Sequence, residues 1–259
     1  MSILESIISY KKEEVQKRKV TLPLEKLKHE NFPNPRDFKS ALEKETISII
    51  AEIKRMSPSA GMIREDFNHV QIARIYEENG ASAVSVLTDN KFFGGTNDYL
   101  IEIKKEINLP VLRKEFVIDE YQIYESRWLG ADAILLIARI LTHDQIDRFI
   151  SLAKELGMAC LVEVHTLNEL KDVLSTSSEI VGINNRNLDT LAVGIKTSLE
   201  LKRLVPKGYI TVSESGIKNR GDVLKLQGSG FDGVLVGETL MRTKKIGDKL
   251  KELLGRNGE

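Results

Sequence analysis

The sequence is poor in cysteine and in long apolar runs, and each shortage excludes a class of protein. Its 259 residues include one cysteine, Cys160, so no disulfide can form within the chain, and a reducing cytosol is the expected compartment. No stretch approaches the roughly 18 consecutive apolar residues of a transmembrane helix. The N-terminus, MSILESIISYKKEEVQKRK, is too charged for a signal peptide. We therefore expect a soluble, cytoplasmic protein.

An excess of charge of either sign is also missing. Lys plus Arg and Asp plus Glu each number 38, so no overall field attracts nucleic acid or an anionic membrane. The four histidines show no metal-ligand spacing, and we expect no metal. Only His165 is expected near the barrel mouth, and we expect it to be a rim residue without a catalytic role.

The chain does have a regular alternation of short apolar runs, polar loops and amphipathic helical segments. This alternation is the signature of βα units and of a parallel sheet. Eight strands are predicted, at residues 47–54, 82–87, 110–114, 132–137, 158–163, 179–184, 209–214 and 232–236. Eight is the number that closes a (β/α)8 TIM barrel, which at about 250 residues is a single domain. A doubly wound open sheet is disfavoured because no glycine-rich fingerprint follows the first strand.

Two helical segments precede the first strand. Residues 3–19 place apolar side chains on one helical face, and residues 35–44 are expected to begin a second short helix with Pro35 in its first turn. We predict one domain over residues 1–259, in which residues 1–46 form a helical extension over the barrel mouth. No Pro-, Ser- or Gly-rich run marks a domain boundary after it.

Polar and ionisable residues follow several of the apolar runs. Because functional groups of parallel barrels gather at the carboxyl ends of the strands, these side chains are expected to share one mouth. They are Glu52, Lys54, Lys114, Glu163, Asn184, Arg186, Glu214 and Ser215. Crowding there is expected to shift pKa values, lowering that of a poorly solvated lysine and raising that of a carboxyl in an apolar wall.

The same strand ends also suggest binding groups. Gly216 and Gly237 follow the seventh and eighth predicted strands, where barrels commonly hold a phosphate through backbone N–H groups. Ser57, Ser59 and Arg186 could add donors. Phe92, Phe93, Phe116 and Leu135 could line a pocket for an aromatic ring, although ordinary core packing explains them equally well from the sequence.

Longer motifs make these residues recognisable. IIAEIKRMSPSAG, VLTDNKFFGGT, PVLRKEFVIDEYQIYESRWLGADAILLI, LVEVHT, VGINNRNLDTL, VSESGI and VLVGETLMR occur in this order along the chain. Together they resemble the indole-3-glycerol phosphate synthases, carbon-carbon lyases of tryptophan biosynthesis, from end to end of the predicted barrel. The helical extension before the first strand is also typical of that family.

The resemblance implies a reaction without a cofactor. In it, 1-(2-carboxyphenylamino)-1-deoxyribulose 5-phosphate cyclises and loses CO2 and water to give indole-3-glycerol phosphate. By similarity, Lys114 is the general acid, Glu163 its acid/base partner, and Lys54 the lysine beside the charged groups of the substrate. The residues that orient the substrate are Glu52, Asn184, Glu214 and Ser215.

The resemblance also assigns the binding groups. Ser57, Gly216, Gly237 and the backbone of Glu238 match the phosphate site, and Arg186 matches an arginine that helps with an anionic group. We expect the Glu238 side chain to turn to solvent, because a carboxylate repels phosphate. Matches to the wall around the anthranilate ring are Phe93, Phe116, Leu135 and Leu188. A monomer that binds a small phosphorylated molecule is expected, and association with other tryptophan-pathway enzymes is left open.

Three alternatives remain at this point. A phosphoribosylanthranilate isomerase would share the glycines but needs a cysteine and an aspartate as acid and base. An aldolase would form a Schiff base at Lys114. A barrel that only binds ligands is the non-enzymatic alternative, and the set of ionisable strand ends disfavours it.

Overall fold

The structure is a computed structural model that describes residues 2–29, 34–187 and 192–256. In chain order the strands are β1 (Ser48–Ile53), β2 (Met56–Ser57), β3 (Gly61–Met62), β4 (Ala83–Leu87), β5 (Val111–Lys114), β6 (Ala133–Ile137), β7 (Ala159–Val164), β8 (Ile180–Asn184), β9 (Ile210–Glu214) and β10 (Gly233–Val236). β1 and β4 to β10 are parallel to their neighbours and form a closed barrel, with β10 paired to β1. The predicted TIM barrel and its eight strands are thus confirmed, and the open sheet is excluded.

The helices follow the strands as βα units require. They are α1 (Ile3–Thr21), α2 (Leu24–His29), α3 (His69–Glu78), α4 (Asn90–Phe93), α5 (Asn97–Glu106), α6 (Glu120–Trp128), α7 (His143–Glu155), α8 (Leu167–Leu174), α9 (Lys196–Lys202), α10 (Arg220–Gly228), α11 (Glu238–Met241) and α12 (Ile246–Leu254), with a 3₁₀ turn at Ala138–Ile140. In the part of the chain that the structure describes, no helix is both long and apolar enough to span a membrane.

Strand periodicity separates the two layers of the core. In β1, Ile49, Ala51 and Ile53 pack in the layer between the barrel and its helices. Ile50 packs in the cluster inside the barrel. Because side chains two apart on a strand point the same way, Glu52 follows Ile50 into the interior. The barrel interior is therefore filled by apolar side chains along the strands and has ionisable side chains at their carboxyl ends.

The segment before β1 is divided between the two ends of the barrel. α1 is confirmed, and it begins with a capping box in which the Glu5 backbone N–H donates to Ser2 Oγ (3.2 Å). The helix predicted at residues 35–44 is wrong, since the structure has only hydrogen-bonded turns at residues 38–42. One turn gains too few backbone bonds to propagate as a helix. Phe38 and Leu42 instead pack into the interior cluster at the amino ends of the strands, 1% and 0% exposed.

Residues 55–68, between β1 and α3, contain the antiparallel hairpin of β2 and β3. The side chain of Arg64, just after this hairpin, donates to the backbone carbonyls of Met241 (3.1 Å) and Thr243 (3.0 Å). These carbonyls lie at the C-terminal end of α11. The loop after β1 is thus attached to the loop after β10 across the barrel mouth.

Candidate active site

A cavity of about 730 Å³ opens at the carboxyl ends of the barrel strands. The structure places nearly every site residue predicted from the sequence on its wall: Glu52, Lys54, Ser57, Phe93, Lys114, Phe116, Leu135, Glu163, Asn184, Arg186, Glu214, Ser215, Gly216, Gly237 and Glu238. Leu188 lies outside the described residues. Side chains from separate strands therefore converge on one space large enough for a drug-sized molecule.

The Lys114 ammonium lies between two carboxylates at the bottom of this cavity. Its Nζ is 3.1 Å from Glu163 Oε2 and 3.0 Å from Glu214 Oε2. All three side chains are at most 13% exposed. They end β5, β7 and β9, so the closure of the barrel brings together groups that are 49 and 100 residues apart from Lys114.

The two carboxyl groups have opposite pKa shifts. Burial raises the pKa of Glu214 to about 8 against the attraction of Lys114, and the neighbouring Glu163 carboxylate contributes to the rise. Burial also acts on Glu163, but Lys114 and His165 outweigh it and lower the pKa of Glu163 to about 2. The pair consequently keeps one proton near neutral pH, held on the Glu214 side.

The predicted direction for the lysine is wrong. Burial alone would lower the pKa of Lys114, but the carboxylates of Glu163, Glu214 and Glu52 outweigh it and raise the pKa above that of a free lysine. Lys114 is therefore an ammonium at neutral pH. It can donate a proton to a substrate oxygen, and the adjacent carboxylates stabilise its charged form.

A second ion pair lies across the mouth. Lys54 Nζ is 2.6 Å from Glu52 Oε1, and their side chains are 14% and 6% exposed. Burial raises the pKa of Glu52, but Lys54 and then Lys114 outweigh it, so the pKa of Glu52 is lowered. Glu52 is thus an ionised acceptor that orients Lys54.

Two glycines make room for these carboxylates. A Cβ at Gly182 would lie 2.2 Å from Glu214 Oε1, and a Cβ at Gly237 would lie 2.1 Å from Glu52 Oε1. A side chain at either position would force the carboxylate beside it to move. The sequence marked Gly237 only as a phosphate-site glycine and did not mark Gly182 at all.

The end of β9 has an unusual backbone. Ser215 has φ 65°, and within the described residues it is the only non-glycine residue with a positive φ, a conformation that costs energy and is common at functional sites. Asn185 holds it in place, because its Nδ2 donates to the carbonyls of Glu214 (3.0 Å) and Ser215 (3.1 Å). Asn185 is a buried positioning residue that was not predicted from the sequence.

Its neighbour Asn184 is on the cavity wall, and Asn184 Oδ1 accepts from the backbone N–H of Arg186 (3.0 Å).

The side of the cavity predicted to bind phosphate combines turns and cations. Ser57 accepts from the Ala60 backbone N–H (3.2 Å) in the β2–β3 hairpin, close to Ser59. The Glu238 side chain does not simply turn to solvent. It is 37% exposed and lies 2.8 Å from Arg242 Nε and 3.7 Å from Arg186 Nη2. This carboxylate therefore pairs with cations at the predicted anion site.

Apolar side chains form another part of the cavity wall. The rings of Phe93 and Phe116 lie 6.1 Å apart between centroids, tilted by 40°. Three residues of α1, namely Ile3, Leu4 and Ile7, complete this wall. The sequence predicted that this helix lies over the barrel mouth but did not identify these three side chains as part of the cavity wall. The way α1 docks on the barrel decides which of its residues line the cavity, and no local sequence pattern contains that information.

The position of His165 differs from the prediction. His165 is not an exposed rim residue, because its side chain is 5% exposed and its Nε2 lies 3.4 Å from Glu163 Oε1. Burial would lower the pKa of His165, but a hydrogen bond to Glu169 and the nearby charge of Glu163 outweigh it and raise the pKa.

Cys160 is at the start of β7, away from the cavity, and burial raises the pKa of its thiol. The isomerase alternative, which needs a catalytic cysteine, has no support here.

Comparison with solved structures agrees with the fold. A mutant α-subunit of tryptophan synthase from Pyrococcus furiosus superposes with a TM-score of 0.61 at 18% identity, covering 80% of this chain and 98% of that one. A thiamine phosphate pyrophosphorylase from the same organism has a TM-score of 0.59 at 16% identity, covering 81% and 94%. At these identities the similarity concerns the barrel architecture alone.

Comparison with known sequences is far closer. The family model of indole-3-glycerol phosphate synthase matches residues 4–253. Proteins named indole-3-glycerol phosphate synthase from Alkaliphilus metalliredigens and Caldanaerobacter subterraneus are each 50% identical, over 97% and 93% of both chains respectively. One from Legionella pneumophila is 48% identical over 98% of both chains. With this coverage and with its ionised strand ends in one cavity, the chain belongs to the indole-3-glycerol phosphate synthase family.

Proposed function

We propose that this cavity carries out the reaction of the family, whose members are carboxy-lyases of tryptophan biosynthesis. The substrate is 1-(2-carboxyphenylamino)-1-deoxyribulose 5-phosphate. A bond forms between the aromatic carbon that bears the carboxylate and the ketone carbon, after which CO2 and water leave to give indole-3-glycerol phosphate. The observation that carries the proposal is the position of Lys114 between Glu163 and Glu214 in the same cavity as Lys54 and Glu52.

Binding at the two ends of the cavity would orient the substrate. The phosphate is assigned to the backbone N–H groups of Gly216, Gly237 and Glu238, with Ser57 and Arg186 as further donors. A phosphate there would compete with the Glu238 carboxylate for Arg186. The anthranilate ring is assigned to the wall of Phe93, Phe116 and Leu135, to which Leu188 is added by family resemblance. Holding both ends places the ketone carbon against the ring carbon, which lowers the entropic cost of cyclisation.

Lys114 is the general acid in this proposal. As the ring carbon attacks, negative charge develops on the ketone oxygen, and a proton from the nearby ammonium neutralises it. Lys54, oriented by Glu52, pairs with the carboxylate of the substrate until it leaves as CO2. Glu163 then takes the proton that is lost during dehydration, and a lysine ammonium of the cavity, Lys54 or Lys114, donates a proton to the hydroxyl that leaves as water. Glu214, Asn184 and Ser215 orient the substrate hydroxyls and Lys114.

The surroundings of the reaction are also proposals. We assign the N-terminal extension two roles, with α1 as part of the cavity wall and residues 34–46 as the closure of the opposite barrel end. A cytoplasmic location is supported by the single cysteine, which is half-buried and free. A monomeric state is kept as an expectation that sedimentation velocity can test.

The proposed function is tested by mixing the purified protein with the anilino-deoxyribulose phosphate and following indole fluorescence. Lys114→Met should abolish most of the signal, and Lys105→Met, at an exposed helical lysine, is the matched control and should leave it unchanged. The aldolase alternative makes a different prediction, since borohydride would then trap substrate covalently on Lys114. Absence of indole formation by the wild-type protein would refute the proposed function.

A further inference from the structure

A second group of buried charges lies behind the cavity, centred on Lys11 of α1. Its side chain is 2% exposed, and its Nζ is 2.6 Å from Glu14, 3.0 Å from Asp89 and 3.0 Å from Glu115. Asp89 precedes α4, and Glu115 directly follows β5. One ammonium therefore joins the N-terminal helix to the ends of two barrel strands.

Both barrel carboxylates also hold the backbone of the aromatic wall. Asp89 Oδ1 caps α4 by accepting from the Phe92 backbone N–H (2.8 Å), and Phe93 follows in the same short helix. Glu115 Oε1 accepts from the Phe116 backbone N–H (2.8 Å). The backbone beside each ring that lines the cavity is thus bonded to a carboxylate that is paired with Lys11.

Other contacts of α1 support the same link. The ring of Tyr10 packs edge-on against Phe92, 5.9 Å between centroids, and Lys91 Nζ lies 4.1 Å above the Tyr10 ring. Ile7, one helical turn before Lys11, lines the cavity itself. The docking of α1 and the placement of α4 are therefore held by the same few side chains.

Burial makes the charge of Lys11 consequential. Asp89 is 0% and Glu115 3% exposed, and a buried carboxylate that loses its counter-ion must rearrange, gain another partner or take up a proton. Any of these changes alters the hydrogen bonds to Phe92 and Phe116. Lys11 is not on the cavity wall, so its effect on a ligand must pass through these residues.

We infer that Lys11 is a positioning residue for the aromatic-ring end of the substrate site, acting through Asp89 on Phe93 and through Glu115 on Phe116. The inference rests on the proposed function, since it takes these rings to hold the anthranilate ring. It gives the N-terminal helix a defined task. α1 sets the spacing of the aromatic wall in addition to covering it.

The test compares Lys11→Met with Lys12→Met, its exposed neighbour on α1. Amide hydrogen exchange at Phe92 and Phe116 should accelerate about tenfold or more in Lys11→Met and stay unchanged in Lys12→Met, since the buried carboxylates that accept from these two amides lose Lys11 and must rearrange. KM for the anilino-deoxyribulose phosphate should rise about tenfold while kcat changes less than threefold, the pattern of lost ground-state binding. Unchanged exchange together with an unchanged KM in folded Lys11→Met would overturn the inference.

A second variant covers a failure to fold. Lys11→Met combined with Glu115→Gln removes one of the two barrel carboxylates that lose Lys11 and keeps an amide oxygen that can accept from Phe116. The inference then requires that the Phe92 amide still exchanges faster, since Asp89 has lost its cation, and that Phe116 is partly protected. Wild-type protection of Phe92 with wild-type KM in this variant overturns it. The exchange measurement needs no turnover, so it decides the role of Lys11 even if the wild-type protein forms no indole.

Discussion

Glu214→Gln should change how the stability of this protein depends on pH. In the folded chain burial, and then the Glu163 carboxylate, raise the pKa of Glu214 to about 8, against 4.5 for the free side chain. Between these values the folded protein holds a proton that the unfolded chain has released. The free energy of unfolding contributed by this group therefore falls as pH rises, by about 1.4 kcal/mol per pH unit, and levels off above pH 8. Glutamine does not titrate, so the variant should lack this slope.

The measurement is urea unfolding of both proteins at intervals from pH 5 to pH 9. The wild-type value minus the variant value should fall by a few kcal/mol between about pH 5 and pH 8. Glu52→Gln is the matched control at an equally buried position. The pKa of Glu52 is lowered, despite burial, by Lys54 and Lys114, so the stability from its ionised form is fully present above pH 5, and the corresponding difference should be flat. A flat difference for Glu214→Gln would refute the inference that the Glu163 and Glu214 pair keeps a proton near neutral pH.

Three further predictions follow from the geometry. Lys114→Ala should lower turnover by about two orders of magnitude or more, roughly 3 kcal/mol of transition-state stabilisation, with an unchanged circular dichroism spectrum; normal turnover would remove Lys114 from the mechanism. Gly182→Ala should lower turnover by displacing the Glu214 carboxylate, whereas Gly228→Ala, where a Cβ meets nothing within 4 Å, should not; equal activities would show that the carboxylate relocates freely. Phe38→Ala should reduce the free energy of unfolding by about 3–5 kcal/mol because it empties the closed end of the barrel, and a loss below about 1 kcal/mol would show that this end repacks.

Much of the site was predictable because strand periodicity is local. Ile50 and Glu52 are two residues apart in β1, and Lys54 directly follows the strand at the same spacing, so all three are expected on one face. The same reasoning placed Lys114, Glu163 and Glu214 at the ends of their strands. Since closed parallel barrels bring strand ends to one mouth, the ionisable residues of the cavity could be predicted from the strand ends alone.

The errors occurred where long-range contacts decide the outcome. The pKa of Lys114 is raised because three carboxylates from other strands surround it, and a single strand shows none of them. The second helix was predicted from Pro35 and the residues after it, but Phe38 and Leu42 gain more by filling the barrel end. Asn185 looked equivalent to Asn184 in the sequence, yet one is buried beneath Ser215 and the other lines the cavity.

The sequence by itself determined the eight strands, the face on which each polar residue lies, and the family, because these depend on local periodicity and on motif order. Tertiary structure alone decided which charges pair, which carboxylate keeps a proton, and how α1 reaches the aromatic wall. The physical reason is that electrostatic energies depend on distance and burial. Both are set only when segments a hundred residues apart, such as Lys114 and Glu214, come within 3.0 Å of each other.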